Sequence, residues 1–188
     1  IEFMSDTFNK MKNFLDIKPQ KAVCDMHPGY NTTAYCSQKF KNIKKIQHHY
    51  AHIASVIAEN KLKGGILGFS YDGTGFGYDD NIWGSECILF KNNTVKRLCH
   101  FEYFDMPGGD AATKEIWRLA LSLLNKHNKL SAVPNSIKKE KLYNRILSLL
   151  NSEIKKPQVC SVGRYLDAMA AICGISNFCL YEGQTAAH

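Results

Sequence analysis

The segment IKKIQHHYAHIASVIAENKLKGGILGFSYDGTG, residues 43–75, predicts a strand, a helix and a second strand in succession. Residues 43–46 read as a short strand, and the apolar residues of 48–59 recur at helical spacing before Lys63-Gly64-Gly65 supplies a stop. Residues 65–71 are short, apolar and bounded by glycine, which is typical of a strand that ends at Asp72. Alternating strands and helices predict an α/β fold with a partly parallel sheet.

This segment also carries a candidate metal site. His48 and His52 are four residues apart, so on a helix they share one face with Cβ atoms about 5–6 Å apart. His49 points about 100° away from them and does not easily join them. Asp72 would add a hard oxygen ligand, and the glycines after it would let backbone N–H groups approach a phosphate or a metal-bound oxygen. We therefore predict a metal site at His48, His52 and Asp72; the alternative is a hydrogen-bonded histidine pair beside an ordinary turn.

Several familiar site classes do not fit the sequence. The zinc protease motif needs a glutamate where His49 stands, and Gly73-x-Gly75-x-Gly77 is not a dinucleotide-binding fingerprint. The seven cysteines include no C-x-x-C pair, which argues against a zinc ribbon or a disulfide framework and favours a reducing, cytoplasmic location. No apolar run approaches the roughly 20 residues of a membrane span.

The composition is that of an ordinary globular protein, with 45% hydrophobic and 22% charged residues among 188. The net charge of +7 raises the question of a nucleic-acid partner. The lysines gather at 39–45, 138–141 and 155–156 without the interleaved aromatic residues of a single-strand groove. Solvated faces are therefore the favoured interpretation of the charge, and nucleic acid is a disfavoured partner.

The rest of the chain divides into two patterns. Before residue 108 we expect a first helix capped by Asp6, a strand at 21–24, a helix at 31–39 and a hairpin of 82–90 with 95–101. Beyond the break at Gly108-Gly109 the periodicity is helical, over 111–127, 136–151 and 161–173. The predicted domains are a first lobe, 1–107, with the metal-site motifs, and a mainly helical part of a second lobe, 108–188.

Separated motifs along residues 20–188 together resemble the HypF carbamoyltransferase family of nickel-iron hydrogenase maturation, in that family's order. They are Asp25-Met26-His27-Pro28-x-Tyr30, Gln47-His48-His49-x-Ala51-His52-Ile53-Ala54-Ser55, Asp72-Gly73-Thr74-Gly75-x-Gly77, Trp83-Gly84-x-Glu86, Pro107-Gly108-Gly109-Asp110-Ala111-Ala112 with Trp117-Arg118, Gly163-Arg164-x-x-Asp167-Ala168 and Tyr181-Glu182-Gly183-Gln184. The resemblance points to the TsaD-like catalytic domain, and so implies an actin/sugar-kinase/Hsp70-like fold that is incomplete in this chain.

The resemblance implies an enzyme that uses ATP and carbamoyl phosphate to make carbamoyl adenylate and transfers the carbamoyl group to the C-terminal cysteine of HypE. His48, His52 and Asp72 would be ligands of a divalent or trivalent metal, zinc or iron, with Mg²⁺ as a further candidate ion. The family's remaining aspartate ligand would lie downstream of His188. The implied nucleotide-binding residues are Asp167 at the ribose, then Gly163, Glu182, Gly183, Gly73 and Gly75; no residue is assigned as general base.

The chain also departs from the family pattern. A complete member would carry an acylphosphatase-like domain, C-x-x-C zinc motifs and a YrdC-like domain, and these are missing from the 188 residues. We therefore expect an internal fragment or a truncated gene product that does not perform the whole reaction alone. Two alternatives stay open: a non-catalytic ATP- or protein-binding remnant of the fold, and an O-carbamoyltransferase that acts on a small-molecule hydroxyl.

Overall fold

The first part of the chain alternates helices and strands, as expected. The computed structural model describes residues 2–92 and 94–187. Its first elements are α1 (Glu2–Phe14), β1 (Ala22–Asp25), α2 (Asn31–Lys39), β2 (Ile43–Ile46) and α3 (His48–Glu59). β1 and β2 pair in parallel, with Ala22 opposite Ile43 and Asp25 opposite Ile46. The strand–helix–strand prediction is confirmed for this region, including the bounds of α2, β2 and α3.

The predicted cap of the first helix is wrong. Helix α1 begins at Glu2, so Asp6 lies one turn inside it and pairs with Lys10 at 2.8 Å. An acidic residue followed four positions later by a lysine supports a helix interior as well as it supports an N-terminus.

A second sheet contains the strands that follow α3. They are β3 (Ile66–Phe76), β4 (Ile82–Lys91), β5 (Thr94–Cys99), β6 (Phe104–Asp105) and β7 (Gln158–Val159). β4 pairs antiparallel with β3 and β5, which confirms the predicted hairpin, and β7 joins its Ile82 end in parallel. β3 is longer than predicted: its register shifts between Tyr71 and Gly75, and the strand continues to Phe76. Asp72 therefore lies in a bulge within the strand and not at its end.

Helices dominate the chain after Gly108 and Gly109, which both have positive φ, 92° and 55°. They are α4 (Ala111–Lys114), α5 (Trp117–Lys126), α6 (Asn135–Lys138), α7 (Tyr143–Leu150) and α8 (Val162–Ile172). Two of the three predicted helices are each broken into two; at Glu115 the break is a ψ of 68°, outside the helical range. The second sheet includes strands from both sides of Gly108-Gly109, and the division into lobes there stays a prediction.

Two apolar clusters fix α8 against the rest of the molecule. One joins α5, α7 and α8 around Trp117, Leu121 and Ile146. The other joins α5, α8, β6 and β7 around Phe104, Leu119 and Val159. The N-terminal end of α8 lies against the bulge of β3, where Gly163 approaches Gly73.

Candidate metal and nucleotide site

Helix α3 and the bulge of β3 bring the three predicted metal ligands together. His48 Nε2 lies 2.9 Å from Asp72 Oδ2 and 3.1 Å from His52 Nε2, and His52 Nε2 lies 3.5 Å from Asp72 Oδ2. One donor atom from each of the three side chains falls within 4.8 Å of the others. The convergence that residue spacing predicted is therefore present in the fold.

Local packing explains why the helix and the strand approach so closely. Gln47 caps α3, since its side-chain oxygen accepts a hydrogen bond from the Tyr50 N–H. Gly68 leaves room for Ile53, because a Cβ at Gly68 would come within 2.5 Å of that side chain. Gly75 leaves room for the histidines in the same way, with a Cβ there 2.4 Å from His49 Cε1. Small residues on β3 thus set the distance between Asp72 and the histidine helix.

Asp25 supports the site from behind His48. Its Oδ2 lies 3.1 Å from His48 Nδ1, and its Oδ1 accepts the backbone N–H of His27 at 2.7 Å. Histidine ligands commonly donate their second ring N–H to a carboxylate, which leaves the other nitrogen free for the metal. Sequence reasoning did not assign Asp25 this role, although the residue opens the first motif that carries the family resemblance.

His49 has a different environment from its two neighbours. Its side chain is fully buried, and burial lowers its pKa from 6.5 to about 4. Its Nε2 lies 3.8 Å from Asp72 Oδ2, so it stands under the cluster without being one of the converging donors. The expectation that His49 does not join the pair agrees with this geometry.

Hydrogen bonds and charges within the cluster shift the pKa values of His48 and Asp72 in opposite directions. The hydrogen bond to Asp72 raises the pKa of His48; burial lowers it in part, and the contact with Asp25 raises it further, for a net increase above 6.5. Burial raises the pKa of Asp72, but the bonds from His48 and the Gly73 N–H outweigh it and bring the pKa down to about 2.

The residues fit a transition metal by their chemistry and spacing. Ligand atoms at about 2.0–2.1 Å from a tetrahedral ion lie about 3.3 Å apart, which matches the separations of 2.9, 3.1 and 3.5 Å found here. Two imidazoles and one carboxylate suit zinc or iron and leave coordination positions for further ligands. His52 and Asp72 are partly exposed, which gives a cation access.

A cavity of about 310 Å³ lies beside Gly73 and Thr74, the two residues that follow Asp72. Among the predicted nucleotide-binding residues, Gly73 and Glu182 line it, together with Lys114, Arg164 and Tyr181. Arg164 Nη2 lies 3.3 Å from Glu182 Oε1, so one wall of the cavity is an ion pair. A cavity of this size with both basic and polar groups has the character of a small-ligand site.

The other predicted nucleotide-binding residues lie outside the cavity lining. Asp167 is only 2% exposed; its Oδ1 accepts from the Thr185 hydroxyl at 2.8 Å, and its Oδ2 forms an ion pair with Arg164 at 3.0 Å. A ribose could reach this carboxylate only if the segment around Thr185 moved. Gly163 lies against Gly73, where a Cβ would come within 2.8 Å of the Gly73 Cα. Gly183 follows Glu182 with a φ of 80°, and Gly75 faces His49.

The Trp83-Gly84-x-Glu86 motif forms a buried network next to the bulge. Glu86 is fully buried and accepts hydrogen bonds from the backbone N–H groups of Gly84 and Ser85 and from Arg97 Nε. The Arg97 guanidinium also lies over the Trp83 ring, 3.6 Å from its centroid. Gly84 is held with a φ of 153° close to Asp72, since a Cβ at Gly84 would lie 2.7 Å from the Asp72 carbonyl oxygen. The network therefore supports the backbone that carries Asp72.

None of the helices over residues 2–92 and 94–187 has the length and apolar character that crossing a membrane requires.

Comparison with known proteins finds relatives that are named carbamoyltransferases. Residues 68–188 match the family model described as "Carbamoyltransferase, Kae1-like Domain, second subdomain", and residues 1–59 match "HypF Kae1-like domain". The carbamoyltransferase HypF of Rhizobium leguminosarum bv. viciae is 31% identical over 186 residues, which cover 99% of this chain and 24% of that protein. The probable carbamoyltransferase HypF of Methanocaldococcus jannaschii is 35% identical over 192 residues, 97% of this chain and 25% of that protein.

Solved structures give the same result. A crystal structure of full-length HypF in the phosphate- and nucleotide-bound form superposes with a TM-score of 0.90 at 33% identity, over 98% of this chain and 25% of that one. HypF of T. kodakarensis superposes with a TM-score of 0.87 at 34% identity, over 98% of this chain and 26% of that one. The chain spans about a quarter of the length of the relatives that it matches. Its motifs, its fold and these matches place the chain in the HypF carbamoyltransferase family of enzymes, within the family's Kae1-like domain.

Proposed function

We propose that this chain is the metal- and nucleotide-binding part of a carbamoyltransferase that moves a carbamoyl group from carbamoyl adenylate to the C-terminal cysteine of a HypE-like protein. ATP and carbamoyl phosphate would be the substrates from which the complete enzyme makes the adenylate. The observation that carries the proposal is that His48, His52 and Asp72 converge next to Gly73, which lines the 310 Å³ cavity. An actin/sugar-kinase/Hsp70-like fold and a cytoplasmic location belong to the same proposal.

The donors favour zinc or iron over Mg²⁺, because two of the three are imidazole nitrogens. Such a cation, when bound, supplies Lewis-acid polarisation of an oxygen and offsets negative charge. His48 and His52 would hold it from the helix and Asp72 from the strand. Asp25 would keep the Nδ1 proton on His48 and so present the Nε2 lone pair to the ion.

The cavity residues would hold the adenylate. Lys114 and Arg164 offer cationic groups to its phosphate, and the backbone of Gly73 brings the ligand next to Asp72. The acceptor thiolate would attack the carbamoyl carbon; the new S–C bond forms as the C–O bond to phosphate breaks, and AMP leaves with the bond's electrons. The thiol proton passes to solvent or to a base that remains unassigned.

The first test is metal content. We expect the purified chain to bind one zinc or iron ion, and His52→Ala and Asp72→Ala to abolish stoichiometric binding. His127→Ala is the matched control, because the His127 side chain is 51% exposed against 56% for His52 and lies outside the cluster. Equal metal content in His52→Ala, Asp72→Ala and the wild type would refute the site.

The second test concerns transfer. The metal-loaded chain is mixed with chemically prepared carbamoyl adenylate and a HypE-like protein, and the acceptor is analysed by mass spectrometry. Carbamoylation of its C-terminal cysteine, absent with Asp72→Ala, would support the proposal. Carbamoylation of a small-molecule alcohol in place of the cysteine would favour the O-carbamoyltransferase alternative, and metal and nucleotide binding without either product would favour the non-catalytic remnant.

A further inference from the structure

His49 is a buried polar group with an unsatisfied ring nitrogen. Its side chain is fully buried, and Nε2 has no hydrogen-bond partner among residues 2–92 and 94–187. Gly75 closes over the ring, and a Cβ there would lie 3.0 Å from Nε2. Such a group costs free energy unless something satisfies it. We therefore expect His49 Nε2, which lies beside the predicted metal ligands, to have a functional partner.

The hydrogen bonds of Gln47 determine which nitrogen of His49 carries the proton. The Gln47 side-chain oxygen must be the atom facing the Tyr50 N–H, because that group only donates. Gln47 Nε2 must in turn donate to the Phe76 carbonyl at 3.2 Å, because a carbonyl only accepts. The second amide hydrogen then points to His49 Nδ1 at 3.0 Å. His49 Nδ1 is thus an acceptor, and the ring proton of neutral His49 is on Nε2.

That N–H faces Asp72. The separation of His49 Nε2 from Asp72 Oδ2 is 3.8 Å, just beyond a hydrogen bond. The other carboxylate oxygen of Asp72 already accepts the Gly73 N–H at 2.7 Å. Asp72 Oδ2 lies 2.9 Å from His48 Nε2. A modest rotation of the Asp72 carboxylate would bring Oδ2 within reach of the His49 N–H.

We propose that His49 is a positioning residue, whose Nε2–H donates to the Asp72 carboxylate and orients it towards the cation. Gln47 fixes the tautomer of His49 that makes this donation possible. His49 would thus orient Asp72 on the strand, as Asp25 orients His48 on the helix. Partners of this kind typically change metal affinity by about 10–100-fold. The inference rests on the metal site of the proposed function.

The tautomer can be measured in the metal-free wild-type chain. Nitrogen-15 NMR of the imidazole groups should show His49 with a protonated Nε2 and an unprotonated Nδ1 at pH 7. A proton on Nδ1 would overturn the inference, whatever the chain does with metal.

The effect on the cation is measured by titrating Co²⁺ and Zn²⁺ into the wild type and His49→Phe, with unfolding curves to confirm that both are folded. We expect about 10–100-fold weaker binding in the variant and altered d–d bands of bound Co²⁺, because Asp72 loses its donor. Wild-type affinity and spectrum in a folded His49→Phe would overturn the role of His49 alone. Absence of metal binding by the wild type would overturn the metal site and this role together.

Gln47→Glu is the second variant, because it leaves His49 in place. The introduced carboxylate can still accept the Tyr50 N–H, and its second oxygen can accept a proton from His49 Nδ1, which turns Nε2 towards Asp72 as a lone pair. That second oxygen also replaces the donor to the Phe76 carbonyl, so unfolding curves must show that the variant is folded. We expect weaker Co²⁺ binding, whereas a purely electrostatic effect of the added negative charge would strengthen it. Undiminished affinity in a variant whose NMR spectrum places the proton on Nδ1 would overturn the inference.

Discussion

Replacement of Asp25 should show how much the orientation of His48 contributes to metal affinity, because Asp25 contacts His48 without being one of the three predicted ligands. We expect Asp25→Asn to weaken Zn²⁺ or Co²⁺ binding by about 10–100-fold without abolishing it. The asparagine side chain has one acceptor oxygen where the carboxylate has two. The ring N–H of His48 and the backbone N–H of His27 would therefore compete for that oxygen. Competition titration with a chromophoric chelator measures the change.

The control for this variant is Asp6→Asn, because Asp6 lies exposed on α1 and pairs with Lys10. Its metal affinity should equal that of the wild type. If Asp25→Asn also binds like the wild type, Asp25 does not orient His48.

At single residues, the sequence predicted the members of the converging cluster better than the residue that supports it. His48 and His52 were predictable because helical spacing alone places them on one face, and Asp72 because a glycine-rich turn follows it. Asp25 was not, because its contact with His48 depends on the parallel pairing of β1 with β2. That register sets Asp25 opposite Ile46, two residues before His48, and no local pattern announces a partner 23 residues away.

Among the elements, β3 is one in which an added methyl group should have a large effect. Gly75→Ala would place a Cβ 2.4 Å from His49 Cε1 and 3.1 Å from His48 Cδ2. We expect the free energy of unfolding to fall by about 1–3 kcal/mol, as for other overpacked sites, and metal binding to weaken because both histidines shift. Urea denaturation and metal titration measure the two effects.

Gly65→Ala is the matched control for Gly75→Ala. It lies just before β3, has no positive φ, and its Cβ would meet only the Lys91 side chain at 3.7 Å, an ordinary contact. A loss of stability of equal size in both variants would mean that crowding at the histidines is not the cause.

The β4–β5 hairpin depends on the buried pair of Glu86 and Arg97. Arg97→Met would leave the Glu86 carboxylate buried without its cation, which should cost about 3–5 kcal/mol at neutral pH. The double variant Arg97→Met with Glu86→Gln should recover part of that loss, because the uncompensated charge is removed. Urea denaturation of the two single variants and the double variant gives the coupling, and a purely additive result would contradict it.

The same pair predicts a pH dependence. Burial raises the pKa of Glu86, but the bonds from Arg97, Gly84 and Ser85 outweigh it, so the folded-state pKa lies below 4.5. The stability that this group contributes is present above pH 4.5 and is lost as the pH falls through the folded-state value. In Arg97→Met the carboxyl loses its cation and its pKa should rise. The deficit relative to wild type should therefore shrink as the pH is lowered from 7 towards 4.

Element boundaries were predictable where the signal is local. Residues 31–39, 43–46 and 48–59 match the helices and the strand found there. The extension of β3 to Phe76 was not predictable, because glycines read as a turn although here they pack against imidazole and indole rings. The breaks near Glu115 and Lys139 likewise lie inside continuous apolar periodicity, which gives no sign of them.

For the whole molecule, a bound cation should act as a stabiliser of the fold. An ion that binds only the folded state at 100 times its Kd contributes about 2.7 kcal/mol. For a chain of this length, that corresponds to a rise in Tm of about 5–10 °C. We expect Zn²⁺ to raise the Tm of the wild type and of His127→Ala but not that of His52→Ala. An equal rise in His52→Ala would place the stabilising ion elsewhere.

The contact between Gly163 of α8 and Gly73 of β3 also constrains how this sequence can change. A Cβ at Gly163 would meet the Gly73 backbone at 2.8 Å, and no rotamer can relieve a clash with a main chain. A Cβ at Gly73 would meet the partly exposed Glu182 side chain, which can turn away. The two positions therefore differ in mutational tolerance. Gly73 could be replaced at the expense of one flexible neighbour, whereas replacement of Gly163 would force the helix away from the strand that carries Asp72.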